Sequence, residues 1–168
     1  ATPVGTDNCP APVTTLTAGQ ASGTVFPIGT TTVTYLVTDA SANTATCSFT
    51  VTVNDTQLPV IACPANITQA NDAGVCGATI TYATPVGTDN CPAPVTTLTA
   101  GQASGTVFPV GATTVTYLVT DASANTASCS FTVTVLDTEL PVIACPANIT
   151  QNNELNVCGA TITYATPV

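Results

Sequence analysis

SCSFTVTV, residues Ser128–Val135, decides how the rest of the chain is read. Cys129, Phe131, Val133 and Val135 alternate with Ser130, Thr132 and Thr134. A period of two puts apolar groups on one face and hydroxyls on the other, as in a strand half buried against a core. TTVTYLVT just before it repeats the pattern, with Val115, Tyr117 and Val119 set against Thr114, Thr116, Leu118 and Thr120. Working back toward the N-terminus, GTVF, VTTLT, ATITY, NITQ and LPVIA give five more short strands. GTDNCPAP, GQASG, FPVG and TDASAN supply the turns. Seven short strands with turns every roughly 8–12 residues predict a two-sheet, all-β sandwich of immunoglobulin-like or fibronectin-like form. An immunoglobulin domain proper would carry a core Trp, and this chain has none.

Composition narrows the function. The 168 residues include no Lys, Arg, His, Met or Trp, and the formal charge is −9. Nucleic-acid binding needs cations to displace counterions from phosphates, so it is excluded. A polybasic membrane contact fails for the same reason. No apolar run reaches the ~18 residues of a membrane-spanning helix, so no membrane insertion is expected. A Ser or Cys nucleophile would have neither His nor Lys as its base, and enzymatic activity is not expected. A chain without Lys or Arg also offers nothing to trypsin-like proteases, which suits an extracellular or cell-surface location.

The chain repeats itself. Ala1 aligned with Ala83 gives an offset of 82. Over the overlap the copies differ at nine places: Ile28/Val110, Thr30/Ala112, Thr46/Ser128, Asn54/Leu136, Gln57/Glu139, Ala70/Asn152, Asp72/Glu154, Ala73/Leu155 and Gly74/Asn156. A period this long is a whole domain rather than a solenoid coil. The linker is best placed in VNDTQLPVIACP and its copy VLDTELPVIACP, where strand alternation stops before an Asp-Thr pair and a Pro. Cutting there gives the back of one domain (1–54), a complete domain (55–136) and the front of another (137–168). The expectation is a stretch taken in arbitrary phase from a longer line of domains. Neighbouring copies, along one chain or end to end, would then complete the partial ones.

Eight Cys at repeating positions, with no His and no CxxC pair, argue for disulfides in an oxidising compartment and against zinc. Two bridges per domain would offset a modest core, at about 2–4 kcal/mol each. The expected pairs are Cys63–Cys129, tying the first strand to the last, and Cys76–Cys91, closing a short loop. Cys9, Cys47, Cys145 and Cys158 would then find partners only in adjoining repeats. The rival scheme joins Cys47 to Cys63 and Cys129 to Cys145, across the linkers.

The chain resembles the hyalin-repeat (HYR) family of extracellular immunoglobulin-like modules. DTQLPVIACPANIT, ATPVGTDNCP and FPVGATTVTYLVTDASANTASCSFTVTVLD carry the resemblance. The four-Cys form with VCGATITYATP is similar to tandem copies in large secreted or surface bacterial proteins. Ala124-Asn125 stands where the family has Gly-Asn, which questions a left-handed backbone there. The resemblance implies adhesion or extracellular scaffolding and no catalysis.

Candidate sites follow from residue type. Asn54, Asn66 and Asn148 open N-x-Thr sequons, and the outer rows Thr114, Thr116, Thr132 and Thr134 could carry O-linked sugars. A sugar coat would hydrate a weakly charged surface and mask sheet edges. Asp55, Asp89, Asp121 and Asp137 are hard-oxygen candidates for calcium at domain junctions, although Asx-capped turns explain the same residues. No other cofactor is expected. The functional expectation is a repeating unit of an extracellular filament, probed against two alternatives: a spacer in a surface adhesin, and a module that itself binds carbohydrate or protein.

Overall fold

The computed structural model describes residues 2–167, and among them all regular structure is β. The strands in chain order are β1 (Val13–Ala18), β2 (Gly29–Thr38), β3 (Thr44–Val53), β4 (Ile67–Ala70), β5 (Gly77–Ile80), β6 (Val95–Ala100), β7 (Thr106–Pro109), β8 (Gly111–Thr120) and β9 (Thr126–Leu136). β8 and β9 form a long antiparallel hairpin in register from Gly111–Val135 to Thr120–Thr126. β6 pairs antiparallel with β8, and β4 runs parallel to β9, giving one sheet in the order β4-β9-β8-β6. β5 and β7 pair antiparallel as a second, smaller sheet.

The alternation read at SCSFTVTV is the inner face of this sandwich. Val115, Val119, Val133 and Val135 are fully buried, and Tyr117 and Phe131 nearly so. Ala78, Ile80 and Phe108 of the second sheet share one core cluster with Val115, Tyr117, Phe131, Val133 and Val135, with Tyr82 just beyond β5. The Tyr82 ring meets the Phe131 ring edge-on at a centroid distance of 5.0 Å. Such pairs stabilise by about 0.5–1.5 kcal/mol beyond their buried area. The Tyr82 hydroxyl donates to the Gln102 carbonyl at 2.6 Å and lies 3.0 Å from the Tyr117 hydroxyl, so a buried polar group is satisfied. Burial first, then the Tyr117 contact, pushes the Tyr82 pKa upward.

LPVIA is not a strand. It makes one isolated bridge, Val60–Thr88, with backbone hydrogen bonds of 2.8 Å in both directions. Pro59 and Pro64 lack the N–H groups a longer ladder would need.

A disulfide joins Cys63 to Cys129 with Cα atoms 5.6 Å apart. The expected Cys76–Cys91 pair is not formed, and neither the Cys47–Cys63 nor the Cys129–Cys145 alternative is present. The topology explains why Cys76 and Cys91 stay apart. β4 ends beside Leu136, and the Asn71–Cys76 turn follows at that end of the sandwich. Cys91 lies at the other end, beside Asp55 and Asp89. The eleven residues of β9 run the length between the two ends, about 35 Å at roughly 3.3 Å per residue. A disulfide needs Cα atoms within about 7 Å.

Residues 2–53 form only the hairpin sheet β1-β2-β3. Residues 137–167 contain no strand, though one local turn persists: the Glu154 N–H donates to the Gly159 carbonyl at 2.8 Å, as Asp72 does to Gly77 at 2.7 Å.

Candidate functional site

The polar groups expected to do chemistry fall at the two ends of the complete sandwich. At the end where it begins, the β8–β9 turn is built on Asp121. Its Oδ1 accepts the Ser123 and Asn125 backbone N–H groups at 2.9 and 2.8 Å, and its Oδ2 accepts the Asn125 side-chain amide at 2.8 Å. Burial works to raise the Asp121 pKa, but the hydrogen bonds from Asn125 and Ser123 outweigh it and leave the pKa below the ordinary value. The turn takes Ala124 into the left-handed region at φ 68°, so Ala at this position does not remove the left-handed backbone. Asp121 is thus a turn cap with its oxygens already committed.

The Asn125 amide also donates to the carbonyl of Asp55 at 3.3 Å, which fixes the incoming linker to this turn. Ligand atoms of Asp55, Asp89 and Cys91 lie within 4.8 Å of one another. Oδ2 of Asp55 is buried without a hydrogen-bond partner. Burial, followed by the hydrogen bond and charge of Asp55 and the charges of Asp89 and Asp121, pushes the Cys91 thiol up to about 11. Asp89 meanwhile accepts the Cys91 backbone N–H at 2.8 Å. Two carboxylates and a neutral thiol fall short of the roughly six to eight oxygens that calcium takes. Of the four calcium candidates, Asp55, Asp89 and Asp121 gather at this end, whereas Asp137 belongs to the other.

At the far end the chain leaves through Asp137. The Asn71 carbonyl oxygen Oδ1 accepts the Thr138 backbone N–H at 2.9 Å, and the Gly74 N–H donates to Glu139 at 2.8 Å. Cys76, Asp137, Glu139 and Leu140 share an open groove of about 640 Å³. The same relation is seen from the other side where the first copy meets the complete repeat. There Ile28, Gly29 and Val53, from the end of the first copy, line one groove with Asp55 and Ser123. The complete repeat thus holds the linker that enters it at Asp55 and the linker that leaves it at Thr138 and Glu139.

The sugar candidates lie on the surface. Asn54, Asn66, Asn148 and Thr114 are exposed, while Thr116, Thr132 and Thr134 are half-buried on the outer face of the large sheet. Asn66 has a structural task that a sequon reading misses, since its Oδ1 accepts the Thr132 N–H at 2.9 Å beside the β4–β9 pairing. An Asn directly ahead of a short strand was the available signal. The four threonines share the outer face of β8 and β9, where Thr114 pairs with Thr132 and Asn66 stands at the edge, whereas Asn54 and Asn148 lie outside that sheet. No helix among the described residues is long and apolar enough to cross a membrane.

Comparison with known proteins agrees with this architecture. The HYR domain family matches residues 1–53 and again 54–135. Hyalin of Strongylocentrotus purpuratus is 39% identical over 158 residues, covering 90% of this chain and 13% of that protein. Hyalin of Lytechinus variegatus is 39% identical over 172 residues, covering 98% of this chain and 32% of that protein. The rat protein named for its sushi, von Willebrand factor type A, EGF and pentraxin domains is 31% identical over 129 residues, covering 74% of this chain and 3% of that protein. The chain thus spans less than a third of each of these relatives' own length.

Proposed function

The chain belongs to the HYR domain family, and from that footing we propose that it is a structural repeat of an extracellular adhesive array, its units joined head to tail and coated with sugar. The observation that supports this best is that the complete repeat holds both of its linkers, the one that enters and the one that leaves, so that by the repeat each linker would be held from two sides. Asp55 is held by Asn125 of the repeat it enters, and Thr138 and Glu139 by Asn71 and Gly74 of the repeat they leave. A junction gripped from both sides, with Pro59 or Pro141 at its centre, behaves as a stiff coupling and not as a slack tether. The polar groups at the two ends serve turns and linkers, which supports a mechanical role over a catalytic one. The hydroxyl-bearing outer face of β8 and β9, with the sequon at Asn66, is the surface the sugar would occupy.

Electron microscopy of unfixed native material tests the reading. Uniform fibres with one repeat per axial step of about 35–45 Å are expected, from strands of roughly ten residues at about 3.4 Å each. Short dispersed rods ending in a globule would overturn it in favour of a stalk. Density outside the protein envelope at Asn66 or along the outer Thr rows is expected for the sugar coat. Intact-mass measurement giving the bare chain mass would remove that part of the proposal.

A further inference from the structure

Cys76 and Cys91 are left without partners within the complete repeat, and the structure places them at opposite ends of it. Each end is a junction. Cys91 lies against Asp55, the first residue of the linker that enters the repeat, and the Val60–Thr88 bridge holds the Thr88–Cys91 segment along that linker. Cys76 borders the groove made with Asp137, Glu139 and Leu140 of the linker that leaves the repeat. The two linkers are copies: Asp55–Val60 reads DTQLPV and Asp137–Val142 reads DTELPV. Superposing them by the repeat brings both cysteine environments onto one linker. The Asp137–Val142 segment has Cys76 on the side of the repeat it leaves. On the other side, the repeat it enters must place its own counterpart of Cys91 beside Asp137, as Cys91 stands beside Asp55.

We propose that Cys76 of one repeat forms a disulfide with the counterpart of Cys91 in the following repeat, so that every junction is covalently stapled beside its linker. The inference rests on the head-to-tail array proposed above. Two cysteines that are a strand length apart within one domain become neighbours between domains. Cys9 and Cys158 occupy the same two roles, Cys9 as the entering cysteine of its copy and Cys158 as the leaving one. The bond forms by thiol–disulfide exchange with a small-molecule disulfide. The two thiols give up two protons and two electrons, one S–S bond forms, and the small disulfide is cleaved to two small thiols. The expected geometry is that of any bridge between two adjacent backbones, with Cα atoms about 5.5–6 Å apart.

The test uses this chain continued by one further copy of its own repeat, refolded with oxidised glutathione. Free thiols are alkylated, and the product is digested with pepsin and mapped by mass spectrometry. Cys9, whose peptide has the same sequence, is replaced by Ser, and the exposed Val95 is changed to Ile as a mass mark, so peptides carrying Cys91 are told apart from those of its counterpart in the following repeat. Cys76 is expected to be linked to the unmarked peptide. In the Cys76→Ser variant the unmarked counterpart becomes alkylated while the bonding of Cys91 is unchanged. In the Cys91→Ser variant Cys76 stays bonded. Cys76 linked to the marked peptide, or alkylated in the oxidised array, would overturn the proposal. The Cys63–Cys129 peptide in the same digest reports that the domains have folded. Microscopy of the same material separates the two readings: an ordered axial repeat with Cys76 alkylated refutes the staple alone, whereas disordered chains with the staple formed refute the array alone.

Discussion

Phe49 and Phe131 are the same residue in two copies of one sequence. Each sits at the centre of its last strand, opposite Val33 or Val115. Phe131 is 4% exposed and Phe49 is 45% exposed. The hairpins that carry them, β2–β3 and β8–β9, have matching registers, and their valines and tyrosines follow the same alternation. What differs is the opposing layer. Over Phe131 lie Ile80, Tyr82 and Phe108, with the Cys63–Cys129 bond alongside. Over Phe49 there is an open hollow of about 240 Å³ between Val33, Phe26 and Gln20. The hairpin is thus encoded locally, whereas its apolar face depends in part on residues such as Ile80 and Tyr82, some fifty positions earlier in the repeat, and on Cys63, 66 before its partner.

That contrast can be broken most severely at the shared Phe. Phe131→Ala is expected to destabilise the complete repeat by about 3–5 kcal/mol, through lost burial and an unfilled cavity. Phe49→Ala is expected to cost well under half of that, about 1 kcal/mol, because its ring is already in contact with water. Amide hydrogen exchange read separately on β9 and β3 checks both, and equal losses would refute the difference in packing. Next in size is the disulfide. Cys63→Ser is expected to cost about 2–4 kcal/mol and to speed exchange across β4 and β9, while Cys47→Ser leaves β3 unchanged. Denaturant melts of the two variants under oxidising conditions measure it.

A smaller effect belongs to Gly87 and its twin Gly5. A Cβ on Gly87 would sit 2.3 Å from Val119 Cγ2, and one on Gly5 would sit 2.2 Å from Val37 Cγ2. Val119 is fully buried and cannot yield, whereas Val37 lies beside an open pocket. Gly87→Ala should therefore cost about 1–3 kcal/mol, and Gly5→Ala distinctly less. The smallest effect is a gain. Ala124 and Ala42 hold φ values of 68° and 65°, which cost a side chain about 1–2 kcal/mol. Glycine relieves this strain but pays more unfolded-state entropy, so Ala124→Gly should stabilise by about 0.5 kcal/mol, and Ala42→Gly by a similar amount because the turn is built alike in both copies. A melt that moves the other way would show the turn to be unstrained.

The parts of the fold legible in the sequence are those in which period-two alternation continues for ten residues, as in β8 and β9. Where the apolar run is short and carries Pro59, as at LPVIA, there is no alternation to read and the ladder is limited to one bridge. The turn residues Asp121 and Asn125 were also legible by type, since a short polar side chain before a tight turn caps it. The Cys76–Cys91 expectation failed for a physical reason. Fifteen residues of sequence look like a short loop, but β5 and the segment that follows it to Thr88 carry the chain the length of the domain between them. Sequence distance predicts contact only when the intervening segment turns back. The gathering of Asp55, Asp89 and Cys91 was invisible for the converse reason, as a residue ahead of the first strand meets a loop more than thirty positions later.

The Cys63–Cys129 bond also sets how far the domain can stretch. If tension enters at Asp55 and leaves at Leu136, the load passes from Cys63 directly to Cys129 through sulfur. The 66-residue separation between them is shielded from the force, and it holds all of β4–β8, including the whole second sheet. Only the short arms before Cys63 and after Cys129 can pay out, some fifteen residues and roughly 50 Å of contour at about 3.4 Å each. The same domain with the bond reduced would release roughly 280 Å at that same length per residue. An oxidised repeat under load therefore behaves as a short-travel spring with a hard stop, and reduction converts it into a long extensible thread.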